Sequence, residues 1–206
     1  MSFSIISIEG VDGSGKTTIS NLLYQRISYS FPNLNIQKYH EPMFFNHEIY
    51  QTSIESSRYL LLLFLTSRKK LIQQVNPNEG QLVIIDRYVD STFVYQCLFQ
   101  KAIDFETLMY LHEKIIFEDK LCYWPDITFI LEANSQDIKN RIKQKNNSKL
   151  FDNCEIEHIM YLYRNLPLIF PNRVFYFFNT SNLSESKIVE TMFEIIVKKS
   201  LFYHKR

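Results

Sequence analysis

Phe3-Ser4-Ile5-Ile6-Ser7-Ile8-Glu9-Gly10-Val11-Asp12-Gly13-Ser14-Gly15-Lys16-Thr17-Thr18 places three of the chain's four glycines within six residues, directly behind an apolar run. From Gly10 to Thr17 the stretch reads G-x-x-x-x-G-K-S/T, with a strand pattern before it and a helix pattern after it. Glycines let a backbone curl until successive N–H groups point into one concavity, a seat for phosphate oxygens. Lys16 is placed to reach the outer phosphates of a nucleoside triphosphate, and the Thr17 hydroxyl to ligate Mg²⁺. The following helix turns its positive end toward the same anion. Gly10, Gly13, Ser14, Gly15, Lys16, Thr17 and Thr18 are therefore the expected phosphate-binding set. A glycine-rich turn that only joins strand to helix is the bland alternative, and the complete pattern in its expected setting argues against it.

Outward from this loop, five short runs (3–9, 35–41, 81–86, 127–132 and 173–179) are nearly continuous in apolar residues, as strands are when helices cover both sheet faces. Helical patterns fill the intervals: 16 to about 30, about 47–75, 89–99, 104–119, 135–145, 155–169 and 184–200. In the first, Ile19, Leu22, Leu23 and Ile27 form one stripe. The alternation predicts an α/β fold, a five-stranded parallel sheet flanked by helices. Asn76-Pro77-Asn78-Glu79-Gly80 reads as a turn before the third strand. Linkers are short and no repeat interrupts the pattern, so residues 1–206 read as one domain.

Ligands gather at the carboxyl ends of the strands in such a sheet. The third strand ends in Asp86-Arg87: the carboxylate suits a Mg²⁺ site and the guanidinium a phosphoryl group, with a structural ion pair as the competing reading. The second ends in His40-Glu41-Pro42, where Pro42 halts the ladder and Glu41 is a candidate for the metal or the acceptor. His40 alone reads as a surface or packed histidine. Arg58, Phe64 and Arg68 share the long second helix, the last two one turn apart. Core packing competes for Phe64, whereas Arg68 closes an apolar run and needs a partner if buried. The run from Lys139 to Lys149 carries five cations in eleven residues. It is either a solvated helix face or a mobile lid over a triphosphate.

Composition narrows the class. With 23 basic and 22 acidic residues the formal charge is +1, against the basic excess of a nucleic-acid-wrapping protein. The 17 Phe and 13 Tyr read as a compositional bias rather than as base-stacking platforms. Cys97, Cys122 and Cys154 show no C-x-x-C spacing, which points away from zinc and toward a reducing compartment. The apolar run 60–65 is too short to span a bilayer and no secretory pattern opens the chain, so a cytoplasmic, soluble protein is expected.

Taken together, these motifs resemble the thymidylate kinase family, over nearly the whole chain. The most specific piece is Asp86-Arg87-Tyr88-Val89-Asp90-Ser91-Thr92-Phe93-Val94-Tyr95-Gln96, which resembles the family's D-R-Y-x-D-S-S/T-x-x-Y-Q block. His40-Glu41-Pro42 resembles R-E-P with histidine for arginine, Leu63-Phe64-Leu65-Thr66-Ser67-Arg68 resembles L-F-x-A-x-R, and Pro125-Asp126-Ile127-Thr128 resembles P-D-L/V-T. The resemblance implies a P-loop nucleoside monophosphate kinase fold with a small lid at about 139–152. It implies transfer of the γ-phosphoryl of ATP to dTMP, giving dTDP and ADP, with Mg²⁺ and as a homodimer. By position, Phe64 stacks on thymine, Arg68 bonds a thymine carbonyl, and Thr92 and Gln96 contact the base edge. Tyr95 floors the sugar, Asp12 holds the 3′-hydroxyl or metal-bound water, and Arg87 grips the acceptor phosphate. Lys16, Thr17, Thr18 and Asp86 serve ATP and Mg²⁺.

Three departures stand out. The loop carries Gly13 where some members have a catalytic arginine, and the lid's D-R-x-E reads Lys149-Leu150-Phe151-Asp152. Arg141, Lys143, Lys145 and Lys149 remain as lid cations, with Arg141 and Lys145 the catalytic candidates. Cys97-Leu98-Phe99 also stands where glycines usually follow Tyr-Gln. The alternatives are a broader deoxynucleoside or deoxynucleotide kinase and a nucleotide-binding regulator that has lost catalysis.

Overall fold

In the computed structural model, which describes residues 3–43, 54–77, 81–144 and 151–199, five parallel strands form one sheet in the order β2-β3-β1-β4-β5. They are β1 (Ser4–Gly10), β2 (Ile36–His40), β3 (Leu82–Asp86), β4 (Ile127–Glu132) and β5 (Phe175–Asn179). The helices are α1 (Lys16–Ser30), α2 (Ile54–Gln74), α3 (Val89–Thr92), α4 (Phe105–Tyr110), α5 (Ser135–Gln144), α6 (Asn153–Ile169) and α7 (Glu185–Lys198). The first stretch of the expected second helix, 47–53, lies outside the described residues.

Strand parity sorts the side chains between two cores. Ile6, Ile8, Leu82, Ile84, Ile127, Phe129 and Leu131 pack with Ile19, Leu23 and Ile27 of α1 and Ile188, Met192 and Ile196 of α7. Ile5, Val83, Ile85 and Ile130 face the other way, against Leu61, Leu65, Phe93, Leu108, Ile138 and Ile159. The same alternation continues to the strand ends. It sends Asp86 toward α1 and Glu9 toward α3, so two carboxylates one residue apart in register serve opposite faces. Ile8 pairs with Asp86, and Asp86 with His40, which brings three strand ends to one edge.

Two expected α-helices are not regular. Val89–Thr92 runs on as π-helical turns over Phe93–Phe99, and Phe105–Tyr110 over Leu111–Ile116. The wide turns close with Gln100 N–H donating to Tyr95 O and Phe117 N–H to His112 O, both at 2.8 Å. They sit among packed aromatic side chains: Phe93 meets Phe105, His112, Trp124 and Phe170 with ring centroids 5.1–6.4 Å apart. Wide turns of this kind recur at functional sites. Asp104, expected inside the second helix, instead caps it by accepting from Thr107 N. Likewise α6 opens on a capping box between Asp152 and Glu155, two residues before the expected start. Among the described residues no helix is long and apolar enough to cross a membrane.

Candidate functional site

The loop after β1 is shaped by contacts that exclude side chains. A Cβ at Gly10 (φ 140°) would lie 2.2 Å from the Leu131 carbonyl oxygen of β4. One at Gly13 (φ 81°) would meet Ile138 O at 2.9 Å and Ile142 at 3.0 Å on α5. The loop is thus pressed between β4 and α5, which holds its curl. Helix α1 starts at Lys16 with no acidic residue in its first turn and no side-chain cap, so its positive end is left for an anion. Ser14 and Lys16 are buried, Gly15 half-buried, Thr17 and Thr18 exposed. Lys16 Nζ donates to Gly10 O at 2.9 Å and Val11 O at 2.8 Å, and lies 3.9 Å from Asp12.

Asp86 is fully buried at the end of β3. Its Oδ2 accepts from Thr17 Oγ1 at 2.6 Å and lies 3.0 Å from His40 Nδ1. Burial alone would raise this carboxyl, but hydrogen bonds from His40 and Thr17 and the charge of Lys16 hold it below the usual carboxylate range. Its Oδ1 is buried with no hydrogen-bond partner among the described residues. An ionised, orphaned carboxylate oxygen beside a threonine hydroxyl is the hard donor set that Mg²⁺ takes, so the residues fit that ion. His40, read from the sequence as a bystander, is in contact with this carboxylate.

Arg87 follows at once, with a left-handed backbone (φ 65°) that a residue bearing a Cβ adopts at a cost of about 1–3 kcal/mol. Its neighbours hold it there. Arg87 N–H donates to Ile8 O at 3.0 Å and Tyr88 N–H to Glu9 Oε1 at 2.8 Å, while Ser91 Oγ donates to Glu9 Oε2. The turn carries the Arg87 guanidinium onto Asp12, with which it forms an ion pair. Burial, with Asp90 nearby, pushes the Glu9 carboxyl up to about 7. Burial also raises the Tyr95 phenol, with the Arg87 charge opposing.

A second polar knot lies deeper. Arg68, Glu41 and His112 are all fully buried, and Thr92 nearly so. Arg68 Nε donates to Glu41 Oε1 at 3.1 Å, and Nη2 donates to Glu41 Oε2 and, at 3.1 Å, to Thr92 Oγ1. Nη1 lies 2.6 Å from His112 Nε2, and the guanidinium stacks on the Tyr88 ring at 5.1 Å. Burial lifts the Glu41 carboxyl above its usual range while Arg68 pulls it down. The Glu41 carboxylate therefore serves Arg68 in this geometry, while its backbone N–H donates to Asp86 O at 3.0 Å. Phe64 is half-buried one turn before Arg68; Tyr95 and Gln96 are buried on the π turns.

Helix α5 runs into the stretch expected to form a lid. Arg141 Nη1 donates to Gly13 O at 3.3 Å and Thr180 Oγ1 at 2.9 Å, and Nη2 to Thr180 O at 3.0 Å, so it ties the glycine-rich loop to the turn after β5. Lys145 and Leu150, with the rest of 145–150, lie outside the described residues. Where the chain returns, Phe151 packs near Tyr95 and Phe99, at 6.2 and 6.0 Å between centroids.

Sequence reasoning passed over Glu9, His112, Arg173 and Thr180. Arg173 clamps Asp90 through both oxygens at 2.7 and 2.6 Å, fixing the start of α3 from the turn before β5. For His112 a signal was present: Leu108, His112 and Ile116 recur every four residues and all are buried, so a polar ring sits in an apolar stripe.

A sequence profile of the family described as thymidylate kinase matches residues 8–185. A thymidylate kinase of Wolbachia pipientis is 34% identical over 155 residues, 71% of this chain and 76% of that protein. Another, of Brachyspira hyodysenteriae, is 32% identical over 158 residues, 70% of each chain. Among solved structures, thymidylate kinase from Ehrlichia chaffeensis superposes with a TM-score of 0.68 at 22% identity, covering 94% of this chain and 98% of that one.

Proposed function

The chain belongs to the thymidylate kinase family, and from that premise we propose how its residues divide one reaction, transfer of the γ-phosphoryl group of ATP to dTMP to give dTDP and ADP. One observation carries the reading: the Asp12 carboxylate lies 3.9 Å from Lys16 and forms an ion pair with Arg87. The cation of the donor loop and the cation of the acceptor side thus converge on one point. Phosphoryl transfer asks little covalent chemistry of a protein and much alignment and charge neutralisation.

In this proposal the N–H groups of Gly13 to Thr18, with Lys16, hold the triphosphate of ATP. Thr17 and Asp86 hold Mg²⁺, which when bound neutralises charge on the transferring group. Arg87 presents a planar fork to the dTMP phosphate. Its backbone N–H is held by Ile8 O and that of the next residue, Tyr88, by Glu9, so the fork is aimed before substrate arrives. Asp12 accepts from the 3′-hydroxyl. Phe64 stacks on the base, Arg68 donates to a base carbonyl, Thr92 and Gln96 meet the base edge, and Tyr95 floors the sugar. Glu41 acts through Arg68, as its two hydrogen bonds indicate.

Arg141 braces the loop from the lid stem through Gly13 O, and Lys145 supplies lid charge within about 139–152. We further propose one domain, a cytoplasmic location and a homodimer. Tyr59 and Leu62, 50% and 62% exposed on α2, offer apolar surface for a second copy. The family match weighs against the broader deoxynucleotide kinase and the lapsed regulator.

The test is ADP release from Mg·ATP with dTMP, dUMP, dCMP, dGMP or thymidine as acceptor. Preference for dTMP is expected. Preference for thymidine would make the chain a nucleoside kinase, and ATP binding without turnover would make it a regulator.

A further inference from the structure

The charge of Arg68 is answered by Glu41, but its direction is not set by Glu41 alone. A guanidinium carries five N–H donors in one plane. Glu41 takes two of them along a single edge, Nε and Nη2, and Thr92 takes the second hydrogen of Nη2. Thr92 and the Tyr88 ring at 5.1 Å restrain Nη2 and one face of the group, and none of these contacts reaches Nη1. The opposite corner, Nη1, is held by His112 Nε2 at 2.6 Å. Among the described residues the last Nη1 hydrogen has no acceptor.

The imidazole is built for this contact. Its Nδ1 lies 2.8 Å from Leu108 O, which can only accept, so Nδ1 bears the proton and Nε2 the lone pair. Phe93 stacks on the ring at 5.4 Å, Trp124 lies at 6.1 Å and Phe117 meets it edge-on at 5.7 Å, so it has no freedom to turn. Burial, helped by the Arg68 charge, holds the imidazole down to about 3, so it stays neutral and accepting across the working pH range.

We infer that His112 is a positioning residue for acceptor recognition: by accepting from Arg68 Nη1 it sets the guanidinium plane so that the remaining Nη1–H faces the nucleobase pocket. A fixed donor there suits a pyrimidine carbonyl and opposes an exocyclic amine, so His112 contributes to the choice of dTMP over dCMP. The inference rests on the dTMP kinase reading above.

His112→Phe keeps a packed ring and removes the acceptor, while His112→Gln returns an acceptor oxygen near the Nε2 position. For His112→Phe the expected result is a KM for dTMP raised about tenfold or more, with the loss carried in that KM rather than in kcat or the KM for ATP. The ratio of kcat/KM for dTMP over dCMP should fall by a similar factor. His112→Gln should recover most of both. A folded His112→Phe protein with unchanged dTMP KM and unchanged dTMP/dCMP ratio overturns the inference and leaves the kinase reading intact; a wild-type protein that does not phosphorylate dTMP defeats both. Should His112→Phe fail to fold, nitrogen-15 NMR of the wild-type histidines decides. A neutral His112 with unprotonated Nε2 from pH 5 to 8, shifting on dTMP binding, supports the inference, and a proton on Nε2 or no shift with dTMP overturns it.

Discussion

Arg68→Met tests the buried knot most directly, because its cost follows from burial. Arg68 and Glu41 are both fully buried and joined through both carboxylate oxygens. Without the guanidinium, a carboxylate is left in the core with no counter-charge, and Thr92 Oγ1 and His112 Nε2 lose their donor. Breaking a buried pair in this way costs about 3–5 kcal/mol. At about 2–4 °C per kcal/mol for a chain of this size, the melting temperature should fall by roughly 6–20 °C. The stranded carboxylate can escape only by taking a proton. Burial already raises Glu41, and Arg68 is what opposes that rise, so its folded value climbs further in the variant. A group raised in the folded state favours folding fully below its unfolded value of about 4.3, and that advantage is lost as pH climbs through the folded value. The loss relative to wild type should therefore be smaller at pH 5 than at pH 8. Urea denaturation followed by circular dichroism at both pH values measures it. Glu41→Leu/Arg68→Met removes both charges and should regain most of the stability, since an apolar pair of similar volume often does as well. A double variant as unstable as the two single losses combined, or a loss equal at both pH values, would refute the reasoning.

Three further outcomes are expected. Glu9→Gln should match wild type in melting temperature at pH 4.5 and exceed it increasingly toward pH 8. The folded value of about 7 lies above the ordinary 4.5, so the Glu9 contribution is complete at low pH and disappears as pH rises through 7, a change of about 3 kcal/mol; a gap that stays constant with pH contradicts this. Gly10→Ala drives a Cβ into Leu131 O at φ 140° and should weaken both folding and ATP binding, read by calorimetry, and unaltered ATP affinity would show that the loop yields at no cost. Arg87→Ala should lower kcat by orders of magnitude while ATP still binds, and near-normal turnover would remove Arg87 from the reaction.

Much of the fold was legible because its signals are local. The five strand runs, read as 3–9, 35–41, 81–86, 127–132 and 173–179, lie within a residue or two of the observed bounds, since strands buried on both faces need continuous apolar stretches. The π turns at Phe93–Phe99 and Leu111–Ile116 were not legible. Their apolar spacing fits an α-helix, and the extra residue per turn reflects the aromatic layer formed by Phe93, Trp124 and Phe170 from separate elements. Likewise aspartate is a favoured helix-starting residue, but that Asp104 and Asp152 are the ones to start helices depends on where the chain turns.

The site divides along the same line. By itself the sequence determined the glycine-rich turn before α1 and the Asp86-Arg87 strand end, because positive-φ turns, a lysine after a glycine and a carboxylate closing an apolar run are demands of adjacent residues. Only the tertiary structure decided that Glu41, Arg68, Thr92 and His112 meet in one dry knot, that His40 and Thr17 share Asp86, and that Arg141 reaches Gly13 and Thr180. The physical reason is sheet order: β2 lies beyond β3, and β4 and β5 flank β1 on its other side, so parity and register choose which strand end faces which helix. Hydrogen bonds between residues 24 to 128 positions apart have no signature in the spacing of the chain.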